Sequence, residues 1–334
     1  MSLKTLPFSR IERKPIKAWS RPAKVMTVLT IITIGIIALF MTLEIKGNLG
    51  FVIPFRATKV LAMVLIGYAI ALSTVLFQTI TANRILTPSI MGFDALYGLL
   101  QTVLVFSLGT ARLVNIDPLI RFVMELGLMI SFSLILFRWL FGSKRQSLHL
   151  LILVGIIFGV LFRSLSSFLQ RLIDPNEFAT LQDIMFASFN SFDRELLGIS
   201  AVIIIVASFI VLRMHHVYDT MSLGKEIAIN LGVNYPRTIS ITLVIVTLLV
   251  SVSTALVGPV TFFGLLVANL AYQIIGSYKH LWIIPCAALL AVSFLISGQM
   301  IVERVFSFTT SLSLIVEFVG GIVFIYMLVR RISR

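Results

Sequence analysis

Long apolar blocks separated by short polar connections occupy nearly the whole chain. A helix that crosses a membrane needs about 20 mostly apolar residues. Ten blocks approach that length, and the third, fifth and eighth are short. The blocks are residues 25–43, 60–80, 95–108, 119–140, 148–161, 196–212, 239–257, 262–275, 282–302 and 312–329. The pattern predicts an all-α polytopic membrane protein with ten transmembrane helices.

The longest polar interruption after the N-terminal tail is residues 213–237, RMHHVYDTMSLGKEIAINLGVNYPR. Its middle predicts a short amphipathic helix outside the bilayer, with Gly224 and Gly232 as its ends. The apolar residues that share one helical stripe are Ile227, Ala228, Leu231 and Val233. Since other connections are shorter or more broken, this helix is the best candidate for a surface that contacts another protein.

Composition agrees with a membrane protein. Hydrophobic residues make up 58% of the 334 residues and charged residues 12%, and the mean hydropathy is +1.05. These values exclude a water-soluble domain. We expect a basic tail at residues 1–24, an uncleaved first helix, and a single transmembrane domain at 25–334. Cys286 lies in an apolar block, where packing is its expected role.

The formal net charge of +13 is explained by topology. With ten alternating helices, most Lys and Arg residues fall on the side of the N-terminus, whereas most acidic residues fall on the other side. The positive-inside rule then places both termini in the cytoplasm. Contact with anionic membrane lipid accounts for the remaining basic character, so no nucleic-acid partner is needed.

Arg56 and Lys59 precede the second predicted helix on the outer side. Cations there oppose both the topology rule and the helix dipole. They are either solvated interface anchors or a docking site for an acidic partner.

Two connections share a glycine and proline break before a short helix. The first contains Pro88 and Gly92, and the second contains Pro259 and Gly264. The preceding helices run in opposite directions, which suggests an inverted repeat of helices two to five against seven to ten. Interrupted helices at matching places in two halves indicate a transport pathway.

Arg163 follows an apolar run, and Gln170 lies one or two turns beyond it. A cation at this depth either snorkels toward headgroups or lines a path for an anionic solute. Glu125 and Glu317 are acidic residues within the fourth and tenth helices, and either could pair with Arg163.

No catalytic or nucleotide-binding motif is evident. The sequence LGKE at 223–226 lacks the spacing and the Ser or Thr of a phosphate-binding loop. The histidines, at 149, 215, 216 and 280, do not suggest a metal site. We therefore expect a transport subunit that is not an enzyme and binds no cofactor, with ATP and Mg²⁺ on partner subunits.

Three segments resemble the iron-siderophore and cobalamin class of ABC importer permeases, the FecCD-type family. They are NRILTPSIMGFDAL, MSLGKEIAINLGV and GPVTFFGLLVANLAYQIIGSYKHLWIIP. The resemblance implies a type II importer permease fold in a bacterial cytoplasmic membrane. It also implies two permease subunits, two ATP-binding subunits and an extracytoplasmic siderophore-binding protein.

By position, the resemblance assigns roles to three groups of residues. The ATPase-coupling residues would be Leu223, Gly224, Lys225, Glu226, Ala228, Leu231 and Gly232. The docking residues for the binding protein would be Arg56, Lys59 and Arg304. Asn269, which stands where most members differ, joins Arg163, Gln170 and the four residues of the two breaks as translocation-pathway candidates.

The departures from the family pattern look like the branch that serves catechol siderophores such as petrobactin and anguibactin, in which two different permeases commonly pair. A heterodimer is therefore favoured. Haem or cobalamin remains an alternative cargo, and an ion-coupled secondary transporter remains an alternative class, with Glu125 and Glu317 as its candidate acids. An intramembrane enzyme would need a nucleophile, metal cluster or acid pair, for which the sequence offers no pattern.

Overall fold

The computed structural model of the chain describes residues 21–43, 48–141, 148–186, 189, 192–308 and 310–332. Over these residues the secondary structure is helical. The helices are α1 (Arg21–Thr42), α2 (Leu49–Thr81), α3 (Phe93–Leu108), α4 (Thr110–Val114), α5 (Pro118–Phe141), α6 (Leu148–Gln170), α7 (Pro175–Met185), α8 (Arg194–Met221), α9 (Lys225–Asn230), α10 (Tyr235–Val257), α11 (Phe263–Ile275), α12 (His280–Arg304) and α13 (Leu312–Ile332), with a 3₁₀ turn at Pro88–Met91. Most of the predicted tail at 1–24 lies outside the described residues.

The ten predicted blocks correspond to α1, α2, α3, α5, α6, α8, α10, α11, α12 and α13, which confirms the all-α polytopic prediction. Seven described helices are long and apolar enough to cross a membrane. The third and eighth blocks are short helices as predicted, with 16 residues in α3 and 13 in α11.

Three predicted boundaries are wrong. Helix α8 continues to Met221 rather than stopping at residue 212. Helix α2 begins at Leu49 rather than at residue 60, with the Asn48 side chain capping its first turn, and so contains two of the three predicted docking cations, Arg56 and Lys59. Helix α6 continues to Gln170 rather than stopping at residue 161. Its polar last turns are tolerated because the Ser166 hydroxyl is hydrogen-bonded to Thr102 on α3 (2.7 Å).

Helices α2, α10 and α12 form the centre of the bundle. In their most apolar stretches 67%, 67% and 56% of the residues are buried, compared with 11% for α1 and 22% for α6. Helix α2 packs against both α12 and α10, and the main hydrophobic core lies along these contacts. The exposed apolar faces of α1 and α6 are suited to lipid or to another subunit.

The helix ends sort into two ends of the bundle. One end holds α9, the C-terminal end of α2 and the start of α12, joined through His280. We call it the α9 end. The opposite end holds the C-terminal ends of α1 and α12 and the first turns of α2, joined through Leu43.

The two predicted breaks meet inside the bundle. Helix α2 is followed by the 3₁₀ turn and α3, whereas α10 is followed by residues 258–262 and α11. Helices α2 and α10 run antiparallel, so the two halves have opposite directions. The Thr261 hydroxyl donates a hydrogen bond to Asp94 Oδ2 (3.0 Å), which joins the second break to the first turn of α3.

Candidate functional site

The predicted surface helix is present as α9 between two glycines. Gly224 has φ +107° and Gly232 has φ +87°, conformations that glycine adopts readily and other residues rarely adopt. The Gly224 carbonyl accepts a hydrogen bond from the Ala228 N–H (3.0 Å), and the Ala228 carbonyl accepts one from the Val233 N–H (3.0 Å). The two glycines start and end the helix, as predicted.

The four residues predicted to share one apolar stripe are divided between the core and the surface. Ala228 is buried and Val233 packs against the main core, whereas the large apolar side chains face solvent. The exposed ones, with their exposed fractions, are Leu223 (57%), Ile227 (50%), Ile229 (47%) and Leu231 (63%). The reason is that α9 has only six residues and turns away after Asn230. An apolar surface is thus presented outward at this end.

A polar network lies at the end of α8, the helix that leads into α9. Asp219 Oδ1, near the end of α8, accepts a hydrogen bond from the His280 N–H (2.7 Å) and contacts His280 Nδ1 (2.7 Å). The other ring nitrogen, Nε2, is 2.8 Å from the Thr79 hydroxyl on α2. This network connects the segment that leads into α9 with α2 and α12. The sequence analysis did not single out Asp219 or Thr79. The signal that the sequence offered was Asp219 itself, an acidic residue on the side of the membrane where Lys and Arg were predicted to predominate.

The three predicted docking cations converge at the opposite end, although the sequence placed them in separate segments. Lys59 is only 5% exposed, and its Nζ lies 2.9 Å from Glu303 Oε1 on α12. Gln299 donates a further hydrogen bond to the same oxygen (2.9 Å). The expectation of a solvated Lys59 is therefore wrong, because the cation lies within α2 and its charge is paired inside the bundle.

Arg56 and Arg304 hold the C-terminal end of α1. Arg56 Nη1 donates to the carbonyls of Phe40 and Leu43 (both 2.9 Å), and Arg304 Nη2 donates to the Leu43 carbonyl (2.7 Å). The last carbonyls of a helix lack partners within the helix, and cations are favoured there. Arg56 opposes the dipole of α2, but both arginines complement the dipole of α1, because they bind its C-terminal carbonyl groups. Both side chains remain partly exposed.

The first break is packed against the backbone of α6. A Cβ atom at Gly155 would lie 2.8 Å from Met91 Cα, and one at Gly92 would lie 3.1 Å from the Gly155 carbonyl oxygen and 3.1 Å from the Gly159 amide nitrogen. Small residues four apart allow such close approach between membrane helices. Pro88 begins the 3₁₀ turn that is held there.

The second break lies across a small cavity from the first. Pro88 and Gly264 line this cavity, and Pro259 lies between two further lining residues, Gly258 and Val260. A Cβ atom at Gly264 would overlap the Thr74 hydroxyl on α2, so glycine permits the close contact between α11 and α2.

The remaining pathway candidates occupy different surroundings. Arg163 is exposed on α6 with its guanidinium close to Gly159. Gln170 is turned back toward α6, where Nε2 donates to the Ser166 hydroxyl (3.1 Å). Asn269 Nδ2 donates to the Arg84 carbonyl (3.0 Å), so it ties α11 to the connection after α2. Of these three residues, Arg163 is exposed and the other two are partly buried.

Neither candidate acid pairs with Arg163. Glu125 forms a salt bridge with Arg121 (2.9 Å) and accepts a hydrogen bond from Gln101 (2.6 Å). Glu317 faces the backbone N–H of Thr261, the residue whose hydroxyl binds Asp94. Arg163 acts electrostatically on a different acid, Asp94, which was not predicted from the sequence. An acidic residue directly after a helix break within a membrane segment was the available signal.

The fold and these surfaces define a multi-pass helical membrane transport protein built around two interrupted helices. A profile described as the FecCD transport family matches residues 23–330. The chain belongs to this family.

Relatives cover most of the chain. The petrobactin import system permease protein YclO of Bacillus subtilis is 48% identical over 90% of this chain and 95% of its own length. Two such permeases of Bacillus anthracis also match: FatC at 38% over 84% of this chain and 79% of its own, and FatD at 26% over 94% and 93%. A solved inward-facing metal-chelate type ABC transporter superposes with a TM-score of 0.80, at 21% identity over 92% of this chain and 99% of that chain.

Proposed function

We propose that this chain is the permease subunit of an ABC importer that carries ferric siderophores, with catechol-type chelates such as petrobactin as the expected cargo. The observation that carries the proposal is the 48% identity with a petrobactin import permease along nearly the full length of both chains. The chain would lie in a bacterial cytoplasmic membrane with both termini and α9 in the cytoplasm.

The energy would come from two separate ATP-binding subunits, which hold ATP and Mg²⁺. The exposed apolar side chains of α9, chiefly Leu223, Ile227 and Leu231, are suited to a groove on such a subunit. Exposed apolar surface outside the membrane marks a contact site in a soluble environment. ATP binding would move α9, and the coupling requires that the ATPase grip α9 differently in its two states.

The motion of α9 has a direct route into the membrane helices. Asp219 precedes α9 by a few residues and is bonded to His280, which in turn contacts Thr79 on α2. Helices α2 and α12 are among the most buried in the bundle. A displacement of α9 would therefore act on the centre of the bundle, and alternating access would follow as the permease subunits rock.

The opposite end would receive an extracytoplasmic siderophore-binding protein. Arg56 and Arg304 offer partly exposed guanidinium groups, and acidic residues of the partner would complement them. A surface cavity of about 270 Å³ lies along the first turns of α2, lined by residues that include Phe51, Phe55 and Arg194. It could accept a partner side chain, while the paired Lys59 at its base fixes α2 against α12.

A second, related permease would complete the pathway. Both FatC and FatD are described as petrobactin import permeases of one organism, which supports a heterodimer. Only 22% of the residues in the apolar stretch of α6 are buried within the chain, which leaves a face for that subunit. Arg163 on this helix would then line a path for an anionic ferric chelate.

The test is reconstitution of the chain with the permease, ATPase and binding protein encoded beside it. We expect ATP-dependent uptake of radioactive ferric petrobactin into vesicles, and no uptake of cobalamin or haem. Preference for cobalamin or haem would refute the cargo. Accumulation against a gradient by this chain alone, without an ATPase, would refute the class of transporter.

A further inference from the structure

The small cavity between the two breaks is lined by oxygen atoms of both repeats. It has a volume of about 20 Å³, and a cavity of about 10–15 Å³ is enough for one water-sized guest. We call it the junction cavity. Its polar lining residues are Ser73 and Thr74 from α2, Thr87 and Ser89 from the first break, Asp94 from α3, and Ser253, Thr254 and Thr261 from α10 and the second break.

Two of the lining hydroxyls have no proton to donate to a guest in the cavity and can offer it only their lone pairs. Ser73 Oγ donates its proton to the Ile70 carbonyl (3.1 Å), and Ser253 Oγ donates its proton to the Val250 carbonyl (2.9 Å). A hydroxyl has one proton to donate and two lone pairs. The oxygen atoms of these serines therefore offer lone pairs to whatever occupies the cavity.

Two further hydroxyls have no partner among the residues that the structure describes. Thr74 is 2% exposed and Thr254 is 4% exposed, and both line the cavity. A buried polar group without a partner costs free energy and is rare in native proteins. Because these two threonines come from different repeats, a guest between them would satisfy one hydroxyl from each.

The cavity has one carboxylate in its wall. Asp94 accepts a hydrogen bond from Thr261 (3.0 Å) and has the Ser89 side chain beside it. Glu317 lies behind Thr261 and adds negative charge at a greater distance. Arg163 supplies part of the counter-charge of Asp94 from outside the lining. The polar side-chain atoms of the lining are all oxygen, so a guest of positive charge is expected.

The ligand chemistry selects the class of cation. Transition metals favour nitrogen and sulfur ligands, and the lining contains no histidine or cysteine. Calcium takes six to eight oxygen ligands, usually including several carboxylates, and magnesium keeps several waters. One carboxylate with several hydroxyls in a small cavity matches a dehydrated monovalent cation of small radius.

We propose that the junction cavity binds one sodium ion, held by the Asp94 carboxylate and by the hydroxyl oxygens of Ser73, Thr74, Ser253 and Thr254. The ion bridges the two interrupted halves at the depth where α3 and α11 begin. It neutralises a carboxylate inside the membrane and stabilises the junction of the repeats. This site is separate from the proposed cargo and does not depend on it.

The experiment uses the full-length chain purified together with its partner permease. Binding of radioactive sodium is measured at equilibrium, and thermal unfolding is compared in sodium, potassium and choline chloride at equal ionic strength. We expect saturable binding of one ion per chain and a higher unfolding temperature in sodium than in potassium or choline.

The variant Asp94→Asn removes the negative charge of the site, and Thr254→Val removes a hydroxyl ligand. We expect sodium affinity to fall by about tenfold or more in each. Thr247→Val is the matched control on α10, because Thr247 is also buried without a hydrogen-bond partner but does not line the cavity.

Three results would overturn the proposal: no saturable sodium binding to the wild-type chain, equal stabilisation by choline, or unchanged affinity in Thr254→Val. Any of them means that the cavity holds water only. Stabilisation by potassium equal to that by sodium would overturn the assignment of a small cation. Thr254→Val keeps the test decisive even if Asp94→Asn does not fold.

Discussion

The α9 end of the bundle exposes apolar side chains and buries a polar network, whereas the opposite end exposes cations and buries their counter-charge. At the α9 end, Leu231 is 63% exposed while His280 is 1% exposed. At the opposite end, Arg56 is partly exposed while Lys59 is paired with Glu303. Each end thus combines an exposed surface, where we propose that a partner docks, with a buried polar group that connects it to the central helices.

The difference shows how a membrane protein can offer two unlike surfaces. An apolar surface gives affinity through burial of area, which suits an ATPase that stays bound. A cationic surface gives fast, salt-dependent encounter, which suits a binding protein that arrives and leaves. The following variants test whether the exposed surface and the buried polar groups at each end have separate effects on partner binding and on stability.

The largest expected effect is the loss of stability when the buried ion pair of Lys59 and Glu303 is broken. Lys59→Met leaves the Glu303 carboxylate without its cation, and breaking a buried ion pair costs about 3–5 kcal/mol. We expect a large fall in the unfolding temperature of the purified chain. The double variant Lys59→Met with Glu303→Leu should recover most of it, since an apolar pair of similar volume is tolerated. Equal loss in the single and double variants would contradict a supporting role.

The second largest effect is expected for Gly224→Pro. Proline fixes φ near −65°, whereas Gly224 has φ +107°, so the start of α9 must distort at a cost of about 3 kcal/mol or more. We expect uptake to be lost while membrane insertion persists. Gly198→Ala is the control, since a Cβ there meets nothing within 4 Å. Wild-type uptake by Gly224→Pro would remove α9 from the coupling mechanism.

Leu231→Asp tests the apolar surface without touching its support. Loss of a buried leucine contact costs about 1.5–3 kcal/mol, so we expect ATPase affinity to fall by about tenfold to a hundredfold. The unfolding temperature should not change. Leu172→Asp is the matched control, because Leu172 is 58% exposed in the connection between α6 and α7. An equal effect of both substitutions would show that the surface is not specific.

The smallest effect is expected at the exposed cations. Arg56→Glu with Arg304→Glu should slow binding-protein association by about tenfold at low salt. Arg56→Lys with Arg304→Lys keeps the charge but alters the hydrogen bonds to the end of α1, so it should lower stability and retain docking. Association rates from surface plasmon resonance distinguish the two pairs. Loss of docking in the lysine pair alone would assign these arginines to structure rather than to recognition.

Much of the fold was predictable because its determinants are local. The ten spans follow from apolar length, and the ends of α9 follow from glycines at 224 and 232. The early start of α2 was missed because Arg56 and Lys59 resemble loop residues when counted alone. Their charges are acceptable in a helix only because α1 supplies carbonyl oxygens and α12 supplies a carboxylate.

The sequence identified individual residues of the candidate sites, but it did not predict which of them lie together. Pro88 and Gly264 were selected from matching breaks, yet nothing in the sequence shows that they line one cavity with Asp94. Asn269 and Gln170 were selected as pathway residues, and the hydrogen bonds that each forms within the chain could not be predicted. A polar side chain in an apolar block indicates that a partner is needed, but it does not identify the partner.

The sequence by itself determined the number of spans, the two breaks and the position of the surface helix, because helix length and glycine conformation depend on neighbouring residues. Only the tertiary structure decided which charges meet. Lys59 and Glu303 are 244 residues apart in sequence, and Asp94 and Thr261 are 167 apart. Such pairs form when helices pack, since burial makes an unpaired polar group costly and leaves few partners within reach.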